Sequence, residues 1–105
     1  MTPEDMFESV AEALSKQGAA IRAKMFGSPG LKVGNKVFAC LVEGKLVVKL
    51  PKERVDALVK SGKGEHFDPG MGRLMKEWAA VRPTTPDEWL RLAAEAKEFV
   101  TSAMR

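Results

Sequence analysis

The side chains best suited to nucleophilic chemistry in this sequence are its single cysteine and its single histidine, Cys40 and His66. A thiolate next to an imidazole is a common activated nucleophile, so this pair is the first candidate for catalysis. Cys40, however, falls within an apolar run that is typical of a strand, whereas reactive thiols usually lie at helix N-termini or exposed turns. We therefore expect an inert, half-buried cysteine and predict that the protein is not an enzyme.

Other patterns for catalysis or cofactor binding are incomplete. His66 is close to Glu65 and Asp68 in the sequence, but these residues fall in one strand and loop, and a metal site needs three or four well-placed ligands. The segment 61–64 lacks both the first glycine and the following hydroxyl of a phosphate-binding loop. The sequence therefore predicts no catalytic residue, no metal ion and no cofactor.

Basic residues are concentrated in the middle of the chain. The formal net charge is only +3, but residues 21–64 contain ten bases and three acids. Basic side chains next to an aromatic surface can bind phosphates and stack on bases. The candidate binding residues are Lys24, Lys36, Phe38, Lys45, Lys49 and Arg73. The alternative is that these lysines protect the edges and outer face of a sheet against aggregation.

Capping residues and periodicity predict the elements that position these side chains. A first helix begins at Thr2 and ends at Gly18, a second begins at Pro51, and a long third helix follows the capping residue Thr85. Three or four strands precede the second helix and two short strands follow it. We predict one domain, residues 1–105, with a two-layer α+β fold: helices cover one face of an antiparallel sheet of five or six strands.

The turn Glu43-Gly44 sets the expected register of a central hairpin. The residues expected to face the core are Val37, Ala39, Leu41, Leu46, Val48 and Leu50. The residues expected on the opposite face are Phe38, Cys40, Val42, Lys45, Val47 and Lys49. The apolar members of this second set would form a patch on the uncovered face, which indicates either a homodimer or a terminal helix that covers the patch. A strict two-residue turn at Gly34-Asn35 would bring Lys32 to the core side, so we expect an edge position, a bulge or a longer loop there.

The stretch Met25-Phe26-Gly27-Ser28-Pro29-Gly30-Leu31 resembles the opening motif of the N-terminal domain of the TfoX/Sxy family. The hairpins that follow, and the later stretch Gly72-Arg73-Leu74-Met75-Lys76-Glu77-Trp78, are similar to that family in order. The recurring motif residues are Met25, Phe26, Gly27, Gly30, Gly72 and Trp78. The YjbR/MmcQ-like proteins are the second choice. The resemblance implies an α+β fold, a link to transcriptional regulation of natural competence, and no catalytic residues.

The expected setting is the bacterial cytoplasm, because the sequence shows no signal peptide and no apolar segment of membrane-spanning length. A lone cysteine is also typical of a reducing compartment. We predict a non-enzymatic regulatory domain that contacts protein partners or nucleic acid through its basic sheet region. Two alternatives stay open: a small ligand- or peptide-binding domain, and an enzyme based on Cys40 and His66.

Overall fold

The computed structural model describes residues 2–18, 20–25, 27–68 and 75–103. These residues form three helices and six strands in the order predicted from the sequence. The elements are α1 (Pro3–Lys16), β1 (Ala20–Met25), β2 (Ser28–Val33), β3 (Lys36–Val42), β4 (Lys45–Lys49), α2 (Lys52–Lys60), β5 (Gly64–Phe67), β6 (Met75–Val81) and α3 (Pro86–Ala103). No helix in the described ranges is both long and apolar enough to cross a membrane.

The predicted helix caps are confirmed. The Thr2 hydroxyl accepts a hydrogen bond from the Asp5 backbone N–H at 3.0 Å, and the Asp5 carboxylate accepts one from the Thr2 N–H at 3.4 Å. At the start of α3, the Thr85 hydroxyl accepts from the Glu88 backbone N–H at 3.1 Å. These contacts satisfy donors that have no partner within the first helical turn, which is why the two helices begin where they do.

The six strands form one antiparallel sheet in the order β1-β2-β3-β4-β6-β5. Strands β1 to β4 follow one another through short turns, while α2 and β5 lie between β4 and its neighbour β6. Strand β5 therefore forms one edge of the sheet and β1 forms the other. The predicted antiparallel α+β fold is confirmed.

The two faces of the sheet have different roles. One face, here called the helix face, packs with residues of all three helices into the main core, which includes Leu14, Leu46, Val55 and Trp89. The other, here called the outer face, carries a smaller cluster of buried residues. This second cluster contains Cys40, Val47, Phe67, Trp78 and Ala80, with Met25, Val37 and Val42 packed against it.

The predicted hairpin register is confirmed for most of β3 and β4, where Ala39 pairs with Val48 and Leu41 with Leu46. The prediction is wrong for Val37 and Phe38. Phe38 is fully buried in the main core, whereas Val37 packs against the second cluster on the outer face. Phe38 and its neighbour Ala39 thus both face the helices, which simple alternation along a strand does not allow.

A β-bulge between β2 and β3 explains this exchange. Leu31 pairs with Ala39, but the next residue, Lys32, pairs with Val37, so Phe38 is the additional residue in β3. Burying a phenylalanine side chain contributes about 1.5–3 kcal/mol, which favours turning the ring inward over regular pairing. The same bulge keeps Lys32 on the outer face. Of the three predicted alternatives, an edge position, a bulge or a longer loop, the structure shows the bulge.

Candidate functional site

The exposed apolar patch predicted for the outer face is wrong. Phe38 lies in the main core, and Cys40 and Val47 have no exposed surface within the second cluster. Val42 is half-buried against the same cluster. The homodimer stays a prediction, but it loses the apolar surface from which it was inferred.

The lysine Lys49 lies on the outer face above a buried tryptophan. Lys49 pairs with Trp78 across β4 and β6, and its ammonium nitrogen is 5.9 Å from the centroid of the indole ring. Trp78 is only 6% exposed. A lysine stem can cover an apolar ring while its ammonium group stays in water, with an additional cation–π attraction. Lys49 is therefore held in place and still presents its charge to solvent.

The second lysine of β4, Lys45, has an acidic partner. Its ammonium group is 2.5 Å from the carboxylate of Glu65 on β5. The hydrogen bond and charge of Lys45 lower the pKa of Glu65, with a smaller contribution from the charge of Arg82. Lys45 of β4 and Glu65 of β5 therefore form an ion pair at one end of the outer face, and Arg82, which follows β6, is close enough for its charge to act on Glu65.

Lys32 is a further base on the outer face, between the edge strand and the second cluster. It pairs with Ile21 of β1 and Val37 of β3. Ile21 is 55% exposed, and no other large apolar side chain in the described part of the chain is exposed. Lys32 has no salt bridge to any described residue. The bulge, and not the composition of the strand, places this charge on the outer face.

The outer-face bases are defined here as Lys32, Lys45, Lys49 and Arg82, and the salt bridge that the structure describes among them joins Lys45 to Glu65. On the helix side, three of the described bases are paired with acids. Arg22 donates to Glu8 of α1, with its closest contact at 2.6 Å, and Lys52 and Arg54 form ion pairs with Asp56 and Glu95. Among the described residues, the helix side therefore carries several ion pairs and the outer face carries one.

The predicted binding residues do not form one site. Lys45 and Lys49 lie on the outer face, but Lys24 alternates with Arg22 and therefore lies on the helix side of β1. Lys36 pairs with the core residue Val33 and lies on that side as well. Phe38 is buried, so its predicted role in stacking is wrong. Arg73 lies outside the described residues.

The motif residues that the structure describes serve packing and turn geometry. Gly27 has a φ of +75° in the β1–β2 turn, where a residue with a side chain would be strained. A Cβ atom on Gly30 would lie 3.1 Å from the carbonyl oxygen of Ala39, so the close approach of β2 and β3 favours glycine there. Met25 and Trp78 belong to the outer-face packing. Phe26 and Gly72 lie outside the described residues.

The two candidate catalytic residues lie on different strands. Cys40 lies on β3, His66 on β5, and two strands separate them in the sheet. Burial raises the pKa of the Cys40 thiol to about 12. His66 instead lies 3.2 Å from the Asp56 carboxylate of α2, on the helix side. The arrangement does not bring an imidazole to the thiol.

Sequence reasoning missed two members of the outer-face bases as site residues, Lys32 and Arg82. The one signal in the sequence for the position of Lys32 is the Gly34-Asn35 turn, where a strict two-residue hairpin would place this lysine on the core side. Comparison of the chain with models of known protein families and with curated protein sequences gives no match. A functional proposal therefore depends on the geometry and charge of this surface.

Proposed function

We propose that this protein is a non-enzymatic regulatory domain that binds nucleic acid in the cytoplasm through the outer face of its sheet. The observation that carries the proposal is the set of four outer-face bases beside one acid, Glu65. Regulation of transcription is what the sequence resemblance to TfoX/Sxy N-terminal domains implies. A basic surface facing solvent supports a direct contact with the phosphate backbone.

The expected binding mode is contact with phosphates and not stacking on bases. Trp78 is buried beneath Lys49, and Phe38 faces the helices, so neither ring is available to a nucleobase. The lysines Lys45 and Lys49 are four residues apart on one strand, a separation of about 13 Å. Bases at that spacing can reach separate phosphates of one duplex, whose major groove is about 12 Å wide.

The salt dependence of binding follows from the charge count. The four bases of this set and the partner acid Glu65 have a net charge of about +3, and each neutralised phosphate releases counterions. For duplex DNA, about three phosphate contacts give a slope of about −2.7 in log K against log salt. Affinity should therefore fall by about 40-fold between 50 and 200 mM salt.

The test is fluorescence anisotropy with a labelled duplex over this salt range, using two charge-matched variants. We expect Lys49→Gln to reduce the slope to about −1.8, so that affinity falls by only about 12-fold over the same range. Lys24→Gln removes the same charge on the helix side and should leave the slope unchanged. Equal effects of the two variants would show that net charge alone drives binding. No binding at 50 mM salt would refute the proposal and favour an acidic protein partner.

A further inference from the structure

Strand β1 forms an edge of the sheet that can accept another strand. Among the described strands it pairs only with β2, in an unbroken register over Ala20–Met25. Alternate residues of an edge strand point their backbone N–H and C=O groups away from the sheet, and short strands or bulges usually protect such an edge. The other edge strand, β5, has only four residues and a shifted register with β6. Strand β1 has neither protection.

The outer-face side of β1 is apolar. Ile21, Ala23 and Met25 share this side, because Arg22 contacts α1 on the helix side and side chains alternate along a strand. Met25 packs against the second cluster, whereas Ile21 is 55% exposed. These three residues form a short apolar row along the open edge of the sheet.

The helix side of the same edge carries charges of both signs. Arg22 and Lys24 lie on this side of β1, and the Glu8 carboxylate of α1 is 2.6 Å from the Arg22 guanidinium. Glu4 precedes Glu8 by one helical turn, so it lies on the same side of α1. Lys24 has no salt bridge to any described residue. A second copy of the same edge therefore meets acids as well as bases.

We propose that two copies of this protein associate through their β1 strands, which pair antiparallel about a two-fold axis at Ala23. The axis is perpendicular to the sheet, so that the two outer faces become one surface. In this register Ile21 of each copy lies opposite Met25 of the other, and Ala23 lies opposite its own equivalent. The two apolar rows therefore cover one another, as an isologous interface requires.

The charges select this register. Lys24 of one copy comes opposite Arg22 of the other, beside the Glu8 carboxylate, which can accept hydrogen bonds from both bases. An axis at Arg22 or at Lys24 would instead place two like charges directly opposite each other. Pairing of a single strand buries less surface than a permanent interface, so the dimer is reversible. Its formation does not depend on nucleic-acid binding at the outer face.

The first test measures association of the full chain by sedimentation velocity from about 10 μM to about 1 mM. We expect the sedimentation coefficient to rise with concentration. Ile21→Thr keeps a β-branched residue but should weaken association at least about tenfold, because apolar surface is lost from both halves of the interface. Val42→Thr, a matched change at a half-buried outer-face position of β3, should leave association unchanged. Equal effects of the two variants would refute the interface. A monomer at all concentrations would overturn the proposal and leave β1 to an extended segment of another protein.

The second test locates the two-fold axis by crosslinking. Opposed residues of antiparallel strands have Cα atoms about 4.5–5.5 Å apart, a distance that a disulfide can span. Ala23→Cys should therefore give a covalent dimer under mild oxidation, and the buried Cys40 should not compete. In Ile21→Cys the two thiols would be about 13 Å apart along the strands, although this position is more exposed. Equal crosslinking of the two variants would show random collision and overturn the register. Circular dichroism melts of each variant establish that the fold is retained.

Discussion

Burial of Cys40 in the second cluster should protect its thiol from alkylation. Desolvation raises its pKa from the usual 9.0 to about 12, and the side chain has no exposed surface. At pH 8 a thiol with a pKa of 9.0 is about 10% thiolate, whereas one with a pKa of 12 is about 0.01% thiolate. Since the thiolate is the reactive species, the native rate should fall by about three orders of magnitude, before restricted access is considered.

The assay is alkylation by iodoacetamide at pH 8, followed by mass spectrometry, in native buffer and in guanidinium. We expect the native protein to react at least about a thousandfold more slowly than the denatured protein. Trp78→Ala removes a member of the same cluster and should raise the native rate by more than its loss of stability explains. Phe7→Ala, a matched truncation in the main core, should raise the rate only in proportion to lost stability.

A native rate within tenfold of the denatured rate would refute this reasoning. It would show that reagent and water reach Cys40, so the second cluster could not be packed as described. Cys40 would then be a reactive thiol, and only the two strands between it and His66 would oppose an enzyme based on this pair.

Three further outcomes are expected. Phe38→Ala should lower the free energy of unfolding by about 3–5 kcal/mol, measured by urea denaturation, because the ring is fully buried; a loss below about 1 kcal/mol would contradict the bulge. Glu43→Asn should raise the free energy of unfolding by about 0.5–1 kcal/mol, because Glu43 has a φ of +52°, which asparagine adopts more readily than glutamate. Because the pKa of Glu65 is lowered from its usual value of 4.5, its ion pair stabilises the fold at pH values above 4.5. This contribution is lost as the pH falls through the lower pKa of the folded state. In the Lys45→Gln variant, the pKa of Glu65 followed by NMR titration should rise towards its usual value. An unchanged pKa would exclude Lys45 as the cause of the lowering.

Local chemistry explains why much of the fold could be predicted. The Thr2 and Thr85 caps depend on side chains and backbone groups three residues apart, so the sequence contains all the partners. The Glu43-Gly44 turn is similar, because both residues have positive φ and together set the register of β3 and β4. Contacts within a few residues are encoded in the segment that makes them.

The exchange of Val37 and Phe38 could not be predicted from alternation within one strand. It depends on β2, since the bulge arises where Leu31 pairs with Ala39 and Lys32 pairs with Val37. It also depends on the helices, because the main core accepts the phenyl ring. The predicted apolar patch failed for the same reason: the burial of Cys40 and Val47 comes from Trp78 and Phe67, whose strands lie far along the chain.

The sequence by itself determined the number of bases, the helix caps and the tight turns, because these depend on residue types and short-range geometry. Only the tertiary structure decided which bases act together. Strand order and register bring Lys45 to Glu65 and Lys32 to the outer face, while they leave Lys24 on the helix side. The set of charges that share one face is a property of the assembled sheet, since residues distant in the chain become neighbours only when the strands pair.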